Sequence, residues 1–169
     1  YSGDMRSLIL IAHNLRSTHN VGSLLRTAEG LGVVEVWLTG YTPYPLMTDD
    51  PRLPHLARKI DAQIHKTALD AEQQIKWQSD TSITRVVEQI RADGYTIMAL
   101  EQAPDAINLS EYQPPDKLAL VLGREAEGLE PEVLALCDGA LEIPMFGQKE
   151  SFNVVQAAAM ALYHARFAP

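Results

Sequence analysis

The chain has a single cysteine, Cys137, among 169 residues, so it can form no internal disulfide and a reducing compartment is its simplest home. It has no apolar run near the ~20 residues that a membrane span requires, and no basic-then-apolar leader with a cleavage site. These absences lead to the expectation of a cytoplasmic protein that does not meet a membrane. The five histidines show no zinc-like spacing and there is no Cys/His cluster, so no metal is expected. Basic residues are also scarce. The 14 Lys and Arg face 22 Asp and Glu, and a net charge of −8 does not advertise a polyanionic partner.

That charge is uneven along the chain. Residues 1–66 carry seven basic and six acidic side chains, whereas residues 67–169 carry seven and sixteen. Arg6, Arg16 and Arg26, with His13 and His19, leave room for a local cationic face, followed by Arg52, Arg58, Lys59 and Lys66. Binding through such a face would be modest and strongly salt-sensitive. A hydrophobic content of 46% is enough for one sizeable core, and residues 1–169 read as one domain, without a separate N-terminal RNA-binding domain.

The hydrophobic pattern predicts alternating strands and helices. Residues 6–12 read as a buried strand, with a polar loop at 14–19 and a helix from about Asn20 to Leu31, where Asn20 is a candidate N-cap. Residues 33–38 form the next strand, and 39–55, with Pro43, Pro45, Pro51 and Pro54, a long surface loop. Residues 54–62 read as a short helix, 64–68 as a short strand, 81–92 as a helix and 95–101 as a strand. The last fifty residues hold two further apolar runs, 118–122 and 140–145, each breaking into a polar, glycine-bearing loop that opens a helix. This order implies a mostly parallel sheet flanked by helices, with the loops gathered at the carboxyl edge, where α/β sheets bind ligands. No GxGxxG follows the first strand, which argues against a Rossmann dehydrogenase.

Those loops carry a resemblance. GREAEGL (residues 123–129) and IPMFGQKESFNV (residues 143–154) resemble the second and third motifs of the SpoU/TrmH RNA ribose methyltransferases of the SPOUT superfamily, and NLRSTHNVGSLLRTAEGLG (residues 14–32) resembles the first. HKTALDAEQQIKW (residues 65–77) is similar to the family's connecting segment. The resemblance implies a SPOUT-type α/β knot, in which the last helix threads a deep trefoil, and a homodimer packed through the first and last helices. It also implies transfer of a methyl group from S-adenosylmethionine to a ribose 2'-hydroxyl of RNA, tRNA before rRNA. A catalytically inactive RNA-binding protein of the same fold is the alternative, against which the retained polar set argues.

Cofactor contacts are implied at Leu100, Gly123, Ile143, Pro144, Met145 and Phe152, with Phe152 standing where the family usually has Leu. Catalytic roles are implied for Asn20, Arg26, Glu125, Ser151 and Asn153. Each also has a plainer reading: Ser151 and Asn153 suit helix capping, Arg26 a surface pair with Glu29, and Glu125 a favourable charge at a helix N-terminus. A guanidinium stays protonated in proteins, so Arg26 suits electrostatic stabilisation better than proton abstraction. Arg16 and His19 are candidate RNA phosphate contacts.

Overall fold

The computed structural model describes residues 5–169. The elements run β1 (Ser7–His13), α1 (Thr18–Gly30), β2 (Glu35–Thr39), α2 (Pro54–Ala68), α3 (Ala71–Gln74), β3 (Trp77–Asp80) and α4 (Ile83–Ala92). Then follow β4 (Thr96–Leu100), β5 (Ile107–Asn108), a 3-10 turn (Leu109–Glu111), β6 (Lys117–Leu122), α5 (Pro131–Leu134), β7 (Gly139–Glu142) and α6 (Val154–Phe167). The seven strands form one sheet in the order β3-β2-β1-β6-β4-β7-β5, and every pairing is parallel. This is the expected α/β architecture. The late strands β6 and β7 do not extend an edge: each inserts between two strands laid down earlier.

The centre of the sheet is apolar on both faces because helices cover both. Leu8, Leu10, Leu118 and Leu120 pack with α1 and α6, while Ile9, Ile11, Ala119 and Val121 pack with α4, whose Ile83, Val86, Val87 and Ile90 form its buried stripe. α1 and α2 approach closely at Gly22, where a Cβ would collide with Thr67 and the Ile64 carbonyl. Thr67 Oγ1 donates to the His19 carbonyl at 2.8 Å, fastening that contact.

Several sequence expectations are corrected. Residues 54–68 form one helix, not a helix and a strand: Ala57, Ile64 and Ala68 are buried at helical spacing and no Gly or Pro interrupts them. α1 begins two residues early, and Ser17 is its N-cap, accepting from the Asn20 N–H at 3.1 Å, so Asn20 is a first-turn residue and not the cap. The edge strand β3 was hidden in the half-buried, mostly polar sequence WQSD. The helix after GREAEGL is a single turn, α5.

The loop expected at 39–55 runs from residue 40 to 53, because Thr39 ends β2 and Pro54 opens α2, and it has no regular element but is firmly tied. Arg52 pairs with Asp50 at 2.6 Å, donates to the Tyr44 and Pro45 carbonyls, and lies 3.7 Å from the Tyr44 ring centroid. Arg6 donates to the Ala165 and Ala168 carbonyls at the end of α6, and His13 is buried. Arg6, His13 and Arg52 are thus engaged in structure, which narrows the cationic face to Arg16, His19, Arg26 and the basic residues of α2. Among the described residues no helix is long and apolar enough to cross a membrane.

Candidate active site

β4, β6 and β7 are neighbours in a parallel sheet, so the loops leaving them meet at one edge. There they enclose a cavity of about 310 Å³, lined by Leu100–Gln102 at the end of β4, Leu122–Gly128 at the end of β6, and Leu141, Ile143 and Glu150–Phe152 in and after β7. Val154 and Ala157 of α6 complete the wall. The volume lies at the small end of the range for organic-ligand pockets.

Glycine makes the enclosure tight. A Cβ on Gly123 would stand 2.7 Å from the Gly128 carbonyl carbon and the Leu129 nitrogen, so the backbone passes where side chains would otherwise be. Gly128 has φ +71°, and a Cβ there would run into the Glu101 carboxylate. The turn between them closes on itself, with the Gly128 N–H donating to the Arg124 carbonyl at 3.0 Å and Arg124 Nε donating to the Gly128 carbonyl at 3.1 Å.

Two residues that the sequence reading passed over hold the three loops together. Glu101 Oε2 accepts from the Leu129 N–H at 2.8 Å, joining the β4 and β6 loops. Gln102 Nε2 donates to the Glu150 carbonyl at 2.8 Å, joining the β4 and β7 loops. Their one sequence signal is position, immediately after a strand at its carboxyl end. Four carboxylates, Glu101, Glu125, Glu127 and Glu150, line the cavity against one cation, Arg124. The site therefore favours a ligand carrying positive charge.

Glu125 links this cavity to α1. It accepts from the Arg16 and Ser17 N–H groups at 3.3 and 3.2 Å and from Asn20 Nδ2 at 3.4 Å. α1 has no acidic residue in its own first turn, so Glu125 supplies the negative charge that its N-terminus favours. Asn153 caps α6, its side chain accepting from the Val155 N–H at 2.8 Å, whereas Ser151 is exposed on the cavity wall and caps nothing.

Of the anticipated residues, Leu100, Gly123, Ile143, Phe152, Glu125 and Ser151 line the cavity. Pro144 and Met145 continue the segment beyond Ile143, and Asn20 reaches it through Glu125. Arg26 stands apart. It is exposed on α1, is not part of the cavity wall, and forms no ion pair with Glu29 among the described residues. Eight residues past Thr18, it is roughly 12 Å along the helix from the end that Glu125 touches.

Beneath the rim, His13 shares a 2.9 Å hydrogen bond with Thr39 Oγ1, and burial pushes its pKa below the ordinary histidine range against the opposing pull of Glu130. Cys137 is no nucleophile, because burial and Asp138 push its thiol up to about 11. His65, Asp70 and Glu72 come together at the α2–α3 turn, but none of them lines the cavity.

Residues 7–163 match the model of the SpoU rRNA Methylase family. The 23S rRNA (guanosine-2'-O-)-methyltransferase RlmB of Neisseria meningitidis is 28% identical over 159 residues, a match covering 94% of this chain and 58% of that protein. This chain thus spans little more than half the length of that curated relative. The AdoMet-bound rRNA methyltransferase of Sinorhizobium meliloti has the same fold, with a TM-score of 0.79 at 20% identity over 98% of this chain and 58% of that one. A structure described as giving insights into the 2-OH methylation of C/U34 on tRNA matches over 95% of this chain and 94% of its own, with a TM-score of 0.75 and 25% identity.

Proposed function

Since the chain belongs to the SpoU rRNA Methylase family, we propose that it transfers a methyl group from S-adenosylmethionine to a ribose 2'-hydroxyl of RNA. The observation that carries this reading is the acidic, glycine-cradled cavity at the meeting point of the three loops. Its fit to the cofactor rests on two features: backbone laid bare at Gly123 and Gly128, and carboxylates suited to a sulfonium cation. When bound, that cofactor supplies a methyl group already activated by its positive sulfur.

The chain's own residues have separable tasks. Leu100, Gly123, Ile143, Pro144, Met145 and Phe152 hold the cofactor, largely through backbone and apolar contact. Glu101 and Gln102 lock the loops in register, and Glu125 with Asn20 ties the cavity wall to α1. Ser151 and Asn153 shape the entrance to α6, leaving Arg26 to steady the charge that develops on the ribose oxygen.

Arg26 cannot do this within its own chain as it stands, which is why the proposal includes a homodimer in which Arg26 of the partner subunit completes the site. Supporting it, Tyr163 and Phe167 at the end of α6 are 61% and 52% exposed and lie tilted with ring centroids 4.7 Å apart, an apolar surface whose Phe167 adjoins the end of α1. A knotted passage of α6 is part of the same reading, supported by the insertion of β6 and β7 between earlier strands. A cytoplasmic location accords with the lone Cys137. tRNA is preferred over rRNA as the acceptor, because the tRNA-related structure matches over nearly its whole length, whereas the rRNA relative is matched over little more than half.

Calorimetry tests the premise. S-adenosylmethionine should bind once per chain, and raising the salt should weaken it more than the uncharged thioether product, since the cavity's carboxylates act on the sulfonium. Absence of binding at millimolar cofactor would remove the reading.

A further inference from the structure

We infer that Tyr41 and Arg16 form a nucleotide-holding surface beside the cavity, the Tyr41 ring stacking on an unpaired base of the RNA and the Arg16 guanidinium taking the adjoining phosphate. The inference rests on the methyltransferase reading and adds to it the residues that receive the substrate.

Tyr41 is 51% exposed, yet the backbone on either side of it is pinned, by half-buried Asn14 before it and buried Thr42 after it. Its N–H donates to Asn14 Oδ1 at 3.1 Å. Gly40, just before it, has φ +64° and passes so close to Asn14 that a Cβ would overlap the amide. Thr42, just after it, is 2% exposed, its Oγ1 accepting from the Leu15 N–H at 3.0 Å and donating to the Thr39 carbonyl at 2.8 Å. Asn14 is itself in the left-handed region, with φ 56°, and donates to Glu130 at 3.4 Å. The Tyr41 ring thus stands on a fixed backbone outside both hydrophobic core clusters, where it is free to meet a ligand. Tyr44, three residues on, shows the contrast: it is half-buried between Arg52 and Trp77 and serves the loop's own packing.

The place of this ring relative to the cavity points to its ligand. The Arg16 guanidinium carbon lies 6.0 Å from the Tyr41 ring centroid, while the Arg16 backbone N–H contacts Glu125 on the cavity wall at 3.3 Å. Glu101, Glu127 and Glu150 make the rest of that rim hostile to phosphate, so a strand that offers a ribose to the cavity is steered to leave past Arg16 and His19. An aromatic ring next to a guanidinium is the pairing that holds single-stranded RNA, because every base has a π face and every nucleotide a phosphate. Since stacking tolerates any base, Tyr41 fixes the position of a nucleotide without choosing its identity.

The test uses the intact chain with unfractionated tRNA and with deproteinised ribosomal RNA, each carrying 4-thiouridine for photocrosslinking. Crosslinked peptides mapped by mass spectrometry should include Tyr41 for whichever RNA is the methyl acceptor. Tyr41→Ala should weaken binding of that RNA roughly 5- to 100-fold, the range for losing one stacked base. Tyr41→Phe should restore binding, and neither variant should change S-adenosylmethionine affinity. Crosslinks confined to other segments, or undiminished RNA binding by Tyr41→Ala, would overturn the proposal and leave the ring to a protein partner. Crosslinking at Tyr41 by a wild-type chain that binds no S-adenosylmethionine would instead uphold the surface while sinking the methyltransferase reading.

Discussion

Replacing Arg26 with alanine is expected to lower methyl transfer about 10²–10³-fold, the usual cost of removing one preorganised donor from a developing oxyanion. Binding of S-adenosylmethionine should be unchanged, because Arg26 is not part of the cavity wall. It should not unfold the chain either: Arg26 is exposed on a helix whose buried face is Val21, Gly22, Leu24, Leu25 and Ala28. A loss of turnover with retained cofactor binding is the signature of a residue that acts on the acceptor.

Its position makes a sharper test possible. If Arg26 serves the partner's cavity, mixing Arg26→Ala subunits with subunits disabled in the cavity regenerates one complete site per mixed dimer. With cofactor held below the Kd of the cavity variant, each variant alone is strongly impaired, so activity on mixing above the sum of the two can only come from shared sites. If Arg26 acts within its own chain, mixing restores nothing, and the proposed assembly fails.

The cavity variant suited to that mixture is Gly123→Ala, which should weaken cofactor binding about 10- to 100-fold, corresponding to the ~1–3 kcal/mol typical of an overpacked methyl. The added methyl meets the Gly128 carbonyl carbon and the Leu129 nitrogen at 2.7 Å, both backbone, so no flexible side chain can swing aside. What can move is the 124–128 turn, which would be drawn off the Glu101 carboxylate that anchors Leu129. The sheet does not depend on that turn, so the variant should fold and show its defect in calorimetry with S-adenosylmethionine. Wild-type affinity would mean that the cavity is not the cofactor site.

The sequence made the sheet's centre legible and its margins obscure, for one physical reason. β1, β4 and β6 are buried on both faces and so appear as continuous apolar runs, whereas β3 is an edge strand whose half-buried Trp77–Asp80 leaves no periodic mark. Residues 64–68, with apolar side chains only at Ile64 and Ala68, are too short to fix a period, and the buried Ala57 settles them as helix only once α2 is seen packed on α1. The glycine loops of the site were readable because close backbone approach restricts residue choice. Glu101 and Gln102 were not, since their importance lies in contacts 28 and 48 residues away. Tyr41 was silent for the same cause: its rigidity comes from Asn14, 27 residues earlier. Arg26 was conspicuous in sequence yet its task was not readable there, because the proposed task depends on a second copy of the chain.

The most direct trial of the methyl transfer is to incubate the purified protein with S-adenosylmethionine bearing a trideuterated methyl group and with tRNA or rRNA, digest the RNA, and weigh the nucleosides. The expected product is a 2'-O-methylated nucleoside carrying the heavy label, present with the wild-type chain and all but absent with Arg26→Ala. Label on a base in place of a ribose, or no label in either RNA from a chain that demonstrably binds the cofactor, would contradict it.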